Sequence, residues 1–431
     1  MKKVIIMSYF FPPCNLAGAN RAFGWANYLS DSGYKPIIIT RNWGIPLENP
    51  EDAYQATGEE IIHEVNEKYE VYFLPFKGNL RDKIFVKHKY KRYNAIRKLL
   101  TFSELLLQNF TLKVIAFRNI YYFTKDLIQK NPDIKIVITT GNPFVFFKFG
   151  YLLKKRFKLL WIADYRDDWN TNLLKRKKTI PDKIISFFET KSEKKWIKKC
   201  DTFLSVSDEY VDKIEKFTQK KGLVIGNGYI DEDYVIKEEI IPFDHFSIIY
   251  NGTLYDTQRI EVFLEAYKKI IDTYCEKTKI HLYFIGLSYE KDQVHRIENL
   301  LAGYESYFTI TGRIPKKEII KIQMQSALLL MVAHENVKGV PSSKLYQYMR
   351  CYKNIFLCPT DHDIMEKTLI KSGIGHISSN AKEGFILLEK LILEYMQLGH
   401  LSTKINYYYI AQFSRREQTK NLAYILDKFT A

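Results

Sequence analysis

Short apolar runs alternate with longer helical segments along almost the whole chain. The runs carry branched and aromatic residues at successive positions, without the polar alternation of a strand that has one face in water. Both faces of such strands must be covered, which helices achieve by packing on the two sides of a parallel sheet. The order of strand and helix predicts right-handed β–α–β units and a doubly wound α/β fold. The first predicted strands span residues 3–8, 35–40, 70–75, 135–140, 159–164, 202–207 and 222–227.

The same pattern starts again after an acidic, irregular segment at residues 228–244. Two strand–helix series in succession predict two Rossmann-like domains, at residues 1–228 and 229–412, followed by an amphipathic helix within 413–431. The strands predicted for the second domain span residues 245–252, 279–286, 307–312, 327–333, 354–359 and 374–379.

The charge balance restricts the class of partner. The 431 residues include 65 Lys and Arg against 49 Asp and Glu, a net charge of +16, which favours nucleotides, nucleic acid or an anionic membrane. Five scattered cysteines without a close pair argue against a disulfide framework or a zinc site. No apolar run reaches the roughly 18 residues of a membrane span. We therefore expect a cytoplasmic protein.

Two basic segments, 77–98 and 175–199, stand out in the N-terminal half. The first contains nine Lys or Arg residues with aromatic residues among them, and Asp82 is its only acid. Such a segment suits peripheral contact with the anionic inner face of a membrane, and a solvated lysine-rich face is the alternative. Nucleic-acid binding is disfavoured because the sequence contains no recognisable nucleic-acid module.

Ligands of doubly wound sheets bind beyond the carboxyl ends of the strands, so the residues after each strand are the candidates. Gly18 lies after the first strand, where a helix begins at about Ala19. The segment DYRDDW follows the fifth strand, and there a carboxylate of Asp164 or Asp167 could orient a hydroxyl while Arg166 holds an anion. An ordinary turn and a salt-bridged loop are the alternatives.

The second domain carries the better candidate site for an anion. Gly252 and Thr253 follow a strand directly, and Arg259 opens the next helix. Further along, Ser342 or Ser343 can cap a helix whose first turn contains a lysine. The helix dipole disfavours a cation there unless an anion is also present, so a phosphate site is predicted around Lys344.

These motifs, taken in order, resemble those of bacterial GT-B-fold glycosyltransferases of the large retaining family, which build surface polysaccharides. The resemblance extends over nearly the whole chain and is weakest at residues 80–130. It implies two Rossmann-like domains facing a cleft, with a C-terminal helix that returns to the N-terminal domain. The motifs are PP-x5-GAxR, DYRDDW, SVSDEY, GNGYIDEDY, YNGTLY-x4-R, FIG, TGRI and GVPSSKLYQYM-x5-IFL.

The resemblance also implies a reaction and a set of roles. A sugar would pass from a nucleotide-sugar to a glycan or lipid-linked acceptor, with retention of anomeric configuration and without a metal ion or a cofactor. The acceptor would lie near Asp164, Arg166 and Asp167. The implied donor residues are Gly18 beside the sugar; Gly252, Thr253 and Arg259 at the diphosphate; Gly312, Arg313 and Ile314 at the base; and Pro341, Ser342, Ser343 and Lys344 at the phosphates.

The sequence departs from the family in the donor site. Gln347 stands where relatives place a glutamate that binds the donor ribose, and Gly339 replaces its usual acidic partner. Thr253 stands where many relatives carry an arginine. These changes leave open a catalytically degenerate protein that acts as a partner at a membrane surface. A nucleotide-sugar epimerase of the same architecture is the other alternative.

Two DxD-like segments mimic the metal motif of a different glycosyltransferase fold. They lie at residues 231–233 and 361–363. The first follows a turn and is more simply a solvated connector, and the nine histidines form no ligand-spaced pair. We therefore predict no metal site.

Overall fold

The chain folds into two compact units. The computed structural model describes residues 1–47, 50–89, 92–172, 179–335 and 337–430. The N-terminal unit contains Met1–Gly226 together with Arg415–Ala431, and the C-terminal unit contains Asn227–Ser414. The divisions thus fall after residue 226 rather than 228, and after 414 rather than 412.

The N-terminal unit is built on an eight-stranded sheet in the order β3-β4-β2-β1-β5-β6-β7-β8. Neighbouring strands are parallel except for β3, which runs antiparallel to β4. Every predicted strand of this half is present, and β3 is an additional one. The strands are β1 Lys2–Met7, β2 Tyr34–Arg41, β3 Ile62–Val65, β4 Glu70–Leu74, β5 Ile136–Gly141, β6 Leu160–Tyr165, β7 Thr202–Ser205 and β8 Gly222–Val224.

The C-terminal unit contains a six-stranded parallel sheet in the order β11-β10-β9-β12-β13-β14. All of its strands were predicted. They are β9 Phe246–Asn251, β10 Ile280–Ile285, β11 Phe308–Ile310, β12 Leu328–Met331, β13 Asn354–Leu357 and β14 Gly375–Ile377.

Helices connect the strands of both sheets. They are α1 Ala19–Tyr28, α2 Leu80–His88, α3 Asn94–Leu107, α4 Asn119–Lys130, α5 Val145–Arg156, α6 Ile180–Ile197, α7 Asp208–Thr218, α8 Ile260–Tyr274, α9 Lys291–Leu300, α10 Lys316–Gln325, α11 Ser343–Arg350, α12 Ile364–Ser372, α13 Ala381–Leu398, α14 Tyr407–Ala411 and α15 Arg415–Thr430. Within the described residues, no helix is long and apolar enough to cross a membrane.

Both faces of the N-terminal sheet are buried, as the unbroken apolar runs predict. On β1, Ile5 and Met7 enter one core, and Val4 and Ile6 enter the core on the opposite face. The helix α15 belongs to the second of these cores and packs against α1, so the C-terminal helix returns to the N-terminal unit.

Candidate active site

Two glycines lie side by side at the carboxyl ends of β9 and β10. Gly252 has φ +85° and Gly286 has φ +81°, a left-handed backbone conformation that residues with a side chain rarely adopt. A Cβ built on Gly286 would lie 3.9 Å from the Gly252 backbone. The sheet therefore offers bare main chain at this point, which allows close approach of a ligand.

Lys344, in the first turn of α11, reaches the same point. Its Nζ donates to the Tyr250 hydroxyl at 2.8 Å and to the Thr253 carbonyl at 3.0 Å, and it lies 4.0 Å from the centre of the Tyr250 ring. A Cβ on Gly252 would lie 3.5 Å from Lys344 Cε. Within the described chain, the groups that the ammonium contacts are all neutral.

Burial changes the protonation of this lysine. Removal of the ammonium from water lowers the pKa of Lys344 to about 7. Burial, and then the positive charge of Lys344, also lower the pKa of His334. An anion bound here would favour the charged form of Lys344, because opposite charge in a poorly solvated place stabilises the ammonium.

The N-terminus of α11 adds backbone donors to the site. Ser342 occupies the cap position in an extended conformation, and in the described structure its side chain makes no capping hydrogen bond. Ser343 is the first residue of the helix, and the buried Pro341 precedes the cap. In the first turn, the Leu345 amide donates to the Ser342 carbonyl at 3.1 Å. The amides of Ser343 and Lys344 have no acceptor inside the helix and can serve an anion.

Arg259 lies on the loop between β9 and α8, where its Nη1 pairs with Glu335 Oε1 at 3.0 Å. Both side chains are about half exposed. The loop is tied to the residues after β12, since Gln258 donates to the Val332 carbonyl at 2.6 Å and Thr257 bonds to His334 at 2.7 Å. Arg259 thus has a counter-ion beside it, on a loop that is held against the residues after β12.

The predicted base-binding residues follow β11. A Cβ on Gly312 would lie 3.5 Å from Ser288 Oγ, and the Arg313 guanidinium covers the Tyr289 ring at 5.1 Å. Ile314 packs into the core beneath, while Arg313 is exposed. The loops after β10 and β11 therefore meet, and a Cβ on Gly286 would lie 4.0 Å from Arg313 Cγ.

Of the three positions that depart from the family pattern, Thr253 contacts Lys344 through its carbonyl, and the other two lie elsewhere in the unit. Gln347 lies on α11 and is partly exposed, and its backbone carbonyl accepts from the Tyr234 hydroxyl at 3.0 Å. Gly339, with φ +76°, donates its amide to Asp363 Oδ2 at 2.8 Å. Hence the loop glycine is anchored by a carboxylate from the residue that precedes α12.

In the N-terminal unit, Arg21 and Asp164 form a buried ion pair. Arg21 Nε donates to both carboxylate oxygens at 3.0 Å, and Nη2 donates to Oδ1 at 2.7 Å. Arg21 also donates to the carbonyls of Ile225 and Gly226. Asp164 was expected to face the acceptor, but its side chain is fully buried and holds Arg21. Asp164 therefore positions Arg21, whereas two of its neighbours on the same loop are open to solvent.

Those neighbours are Arg166 and Asp167, which solvent reaches. Arg166 donates to Asp167 Oδ2 from Nε at 3.0 Å and from Nη2 at 2.6 Å. A Cβ on Gly18 would lie only 1.8 Å from Arg166 Nη1. The loop after β1 and the loop after β6 thus meet at Gly18, as the carboxyl-end placement predicts.

The DxD-like segments have structural roles. Asp361 accepts from the amides of Asp363, Met365 and Glu366, so it caps α12. Asp231 pairs with Arg350, and Asp233 pairs with Lys316. No group of three or more metal-ligating side chains occurs among the described residues.

Several site residues had no role in the sequence interpretation. His334 and Glu335 are ordinary strand-end residues in the sequence, and only the fold brings them to Lys344 and Arg259. Three other residues belong to motifs of the sequence: Tyr250 is the first residue of YNGTLY, Arg21 is the last residue of GAxR, and Gly286 is the last residue of FIG.

Neither a protein-family model nor a curated protein sequence matches the chain. Solved structures do match over its full length. Sucrose-phosphate synthase from Thermosynechococcus elongatus has a TM-score of 0.66 at 13% identity, over 100% of this chain and 99% of that chain. A glycosyltransferase from Rickettsia africae has a TM-score of 0.60 at 15% identity, over 99% of both chains. Anabaena HepE, solved in complex with UDP, has a TM-score of 0.60 at 10% identity, over 99% of this chain and 100% of that chain. At such low identity the similarity is one of fold, and the fold of this chain is GT-B.

Proposed function

We propose that this protein is a glycosyltransferase that moves a sugar from a nucleotide-sugar to a glycan or lipid-linked acceptor. The observation that carries the proposal is Lys344, an ammonium with neutral contacts, set against the bare backbone of Gly252 at the start of α11. The GT-B fold supports it, since the similarly folded structures include sucrose-phosphate synthase and a glycosyltransferase.

The leaving diphosphate has three sources of stabilisation in this unit. Lys344 supplies a charge and the first turn of α11 supplies amides, both of which favour the negative charge that develops as the glycosidic bond breaks. Arg259 supplies a second charge. Its pair with Glu335 is half exposed, and such pairs are worth only about 0–1 kcal/mol, so a diphosphate can displace the glutamate.

The acceptor side of the proposal rests on the N-terminal unit. The Arg166–Asp167 pair lies at the carboxyl end of β6 with Asp167 exposed, where a carboxylate can orient an acceptor hydroxyl. The remaining features, namely retention of configuration, action without a metal ion and a place in surface-polysaccharide synthesis, are proposed from the motif resemblance.

Isothermal titration of the full chain with UDP-, GDP- and ADP-sugars tests the donor site. UDP-sugars come first because HepE was solved with UDP. We expect one nucleotide series to bind with a dissociation constant in the micromolar range, and Lys344→Met to weaken it at least tenfold. Lys371→Met, which removes an exposed lysine of the same unit, is the matched control and should bind as the wild type does.

The proposal fails if no nucleotide-sugar binds more tightly than inorganic pyrophosphate. It also fails if Lys344→Met and Lys371→Met weaken binding equally, because the effect would then be one of net charge. Once a donor has been identified, its slow hydrolysis in the absence of an acceptor can be followed by NMR. The anomer of the released sugar then tests whether the reaction retains configuration.

A further inference from the structure

The helix α3 has an apolar side that the described part of the chain leaves exposed. None of its fourteen residues is buried, although eight of them are apolar. Ile96, Leu99 and Leu107 share one face by helical spacing, and Phe110 continues it through the turn where its amide bonds to the Leu107 carbonyl. These four side chains are between 42% and 64% exposed. A helix in water would normally bury such a stripe.

The helix α6 carries a second exposed stripe of the same kind. Ile180, Ile184 and Phe187 follow each other at spacings of four and three residues and are 39% to 74% exposed. The same face of the helix continues with four exposed lysines, Lys191, Lys194, Lys195 and Lys198. Its first half is therefore apolar and its second half cationic.

The two stripes adjoin. The ring centroids of Phe110 and Phe188 are 5.3 Å apart, and Phe188 lies 5.3 Å from Phe187. Lys191 Nζ lies 4.2 Å from the centre of the exposed Phe187 ring, at the junction of apolar and basic residues. We call the exposed side chains of Ile96, Leu99, Leu107, Phe110, Ile180, Ile184 and Phe187 the α3–α6 apolar surface.

Carboxylates do little to offset the positive charge around this surface. On α2, α3 and α6, Asp82, Glu189 and Glu193 are buried, and Glu104 is held by Arg81. The partly exposed Asp182 caps α6 and accepts from the Thr179 amide and hydroxyl. The exposed charges of these helices are mostly lysines, including Lys83 and Lys98. The basic residues predicted at 175–178 lie outside the described residues.

We propose that the α3–α6 apolar surface docks on an anionic lipid monolayer. Apolar side chains flanked by lysines are what interfacial helices present to lipid, because the apolar groups enter the acyl boundary while each lysine near the surface adds about 1 kcal/mol. A second copy of this chain fits less well, since symmetric pairing would bring the lysines of α6 together. Nucleic acid would leave the apolar side chains in water. The proposal is independent of the donor chemistry.

Vesicle sedimentation of the full chain tests it. We expect binding to vesicles of phosphatidylcholine with 30% phosphatidylglycerol, and at least tenfold weaker binding to phosphatidylcholine alone. The double variant Leu99→Glu with Phe187→Glu should lose at least tenfold in partition to the anionic vesicles. Its matched control is Val235→Glu with Ile370→Glu, which makes the same charge change at exposed apolar positions of the C-terminal unit and should lose much less.

An unchanged melting temperature and unchanged nucleotide-sugar affinity would show that the first variant still folds. The proposal is overturned if both double variants lose binding equally, because net charge would then explain it. It is also overturned if the protein binds neutral and anionic vesicles alike. Light scattering after gel filtration that shows a wild-type dimer, and a monomer for the Leu99 and Phe187 variant, would assign the surface to a second copy instead.

Discussion

Lys344 lies against Gly252, with its Cε 3.5 Å from the position that a Cβ on that glycine would occupy. The two residues are far apart in sequence, at the ends of different strand–helix units, and the parallel sheet brings them together. The contact places the Lys344 ammonium, whose pKa is lowered by burial, beside the backbone of a residue that has no side chain.

The affinity for a nucleotide-sugar should fall as the pH rises above 7. The pKa of Lys344 is about 7 in the free protein, so at higher pH the lysine must take up a proton before it can pair with the diphosphate. The predicted loss approaches tenfold per pH unit, a change of about 1.36 kcal/mol. Titrations between pH 6 and 9 measure it, and a diphosphate diester has no ionisation there. Lys344→Met should bind weakly at every pH, whereas a wild-type affinity that stays level to pH 9 would contradict the assignment.

Replacement of Gln347 should change the affinity for the donor according to the hydrogen bonds that the new side chain can make with it. Gln347→Ala removes a neutral hydrogen bond, worth about 0.5–1.5 kcal/mol, so we expect roughly threefold to tenfold weaker binding. Gln347→Glu restores a charged acceptor and should bind at least as tightly as the wild type. Calorimetry and turnover of both variants distinguish the outcomes. A large gain in turnover with glutamate would mean that the natural site is impaired.

Breaking the Arg21–Asp164 pair should destabilise the N-terminal unit strongly. Removal of one partner leaves a buried charge unpaired, which costs about 3–5 kcal/mol. Arg21→Leu together with Asp164→Leu should lose less than the sum of the single changes. Urea unfolding followed by tryptophan fluorescence is selective here, because all five tryptophans lie in this unit. Additive losses would show that the two side chains do not act as a pair.

The stability of the N-terminal unit should depend on pH through the ionisation of Glu193. Burial raises the pKa of Glu193 to about 7, although the Asn170 amide at 2.6 Å and the Tyr165 hydroxyl at 2.9 Å favour its charged form. In the unfolded chain the pKa of a glutamate is about 4.3. Between that pH and about pH 7 the folded state binds more protons than the unfolded state, so the free energy of unfolding falls as the pH rises. Glu193→Gln should therefore be more stable than the wild type at pH 8 and similar to it near pH 5. Melting curves of the wild type and the variant at both pH values test this. An equal difference in melting temperature at pH 5 and pH 8 would contradict the prediction.

The strands were predictable because burial on both faces leaves an unbroken apolar run. The exception is β3, whose residues Ile62–Val65 are all exposed and alternate in no regular way, so the sequence carries no burial signal for it. Its place is set by pairing with β4, a contact that a local pattern does not contain.

The grouping of the candidate residues was predictable for a related reason, since the loops that follow parallel strands lie at one edge of the sheet. The burial and the charge partners of each side chain were not predictable. Asp164 has the sequence context of a carboxylate that orients an acceptor hydroxyl, and the guanidinium of Arg21, 143 residues earlier, neutralises it. Likewise, the Glu335 partner of Arg259 and the neutral contacts of Lys344 depend on residues that lie far away in sequence.

The close approach of Gly18 to Arg166 couples residue 18 to the charge of Asp167. A methyl group at residue 18 would overlap the guanidinium, whose Nη1 lies 1.8 Å from the added carbon. The guanidinium is the flexible end of a partly exposed side chain, so it would move aside and leave its pair with Asp167. A substitution at a position that carries no charge would thus remove the counter-ion of a carboxylate far away in sequence.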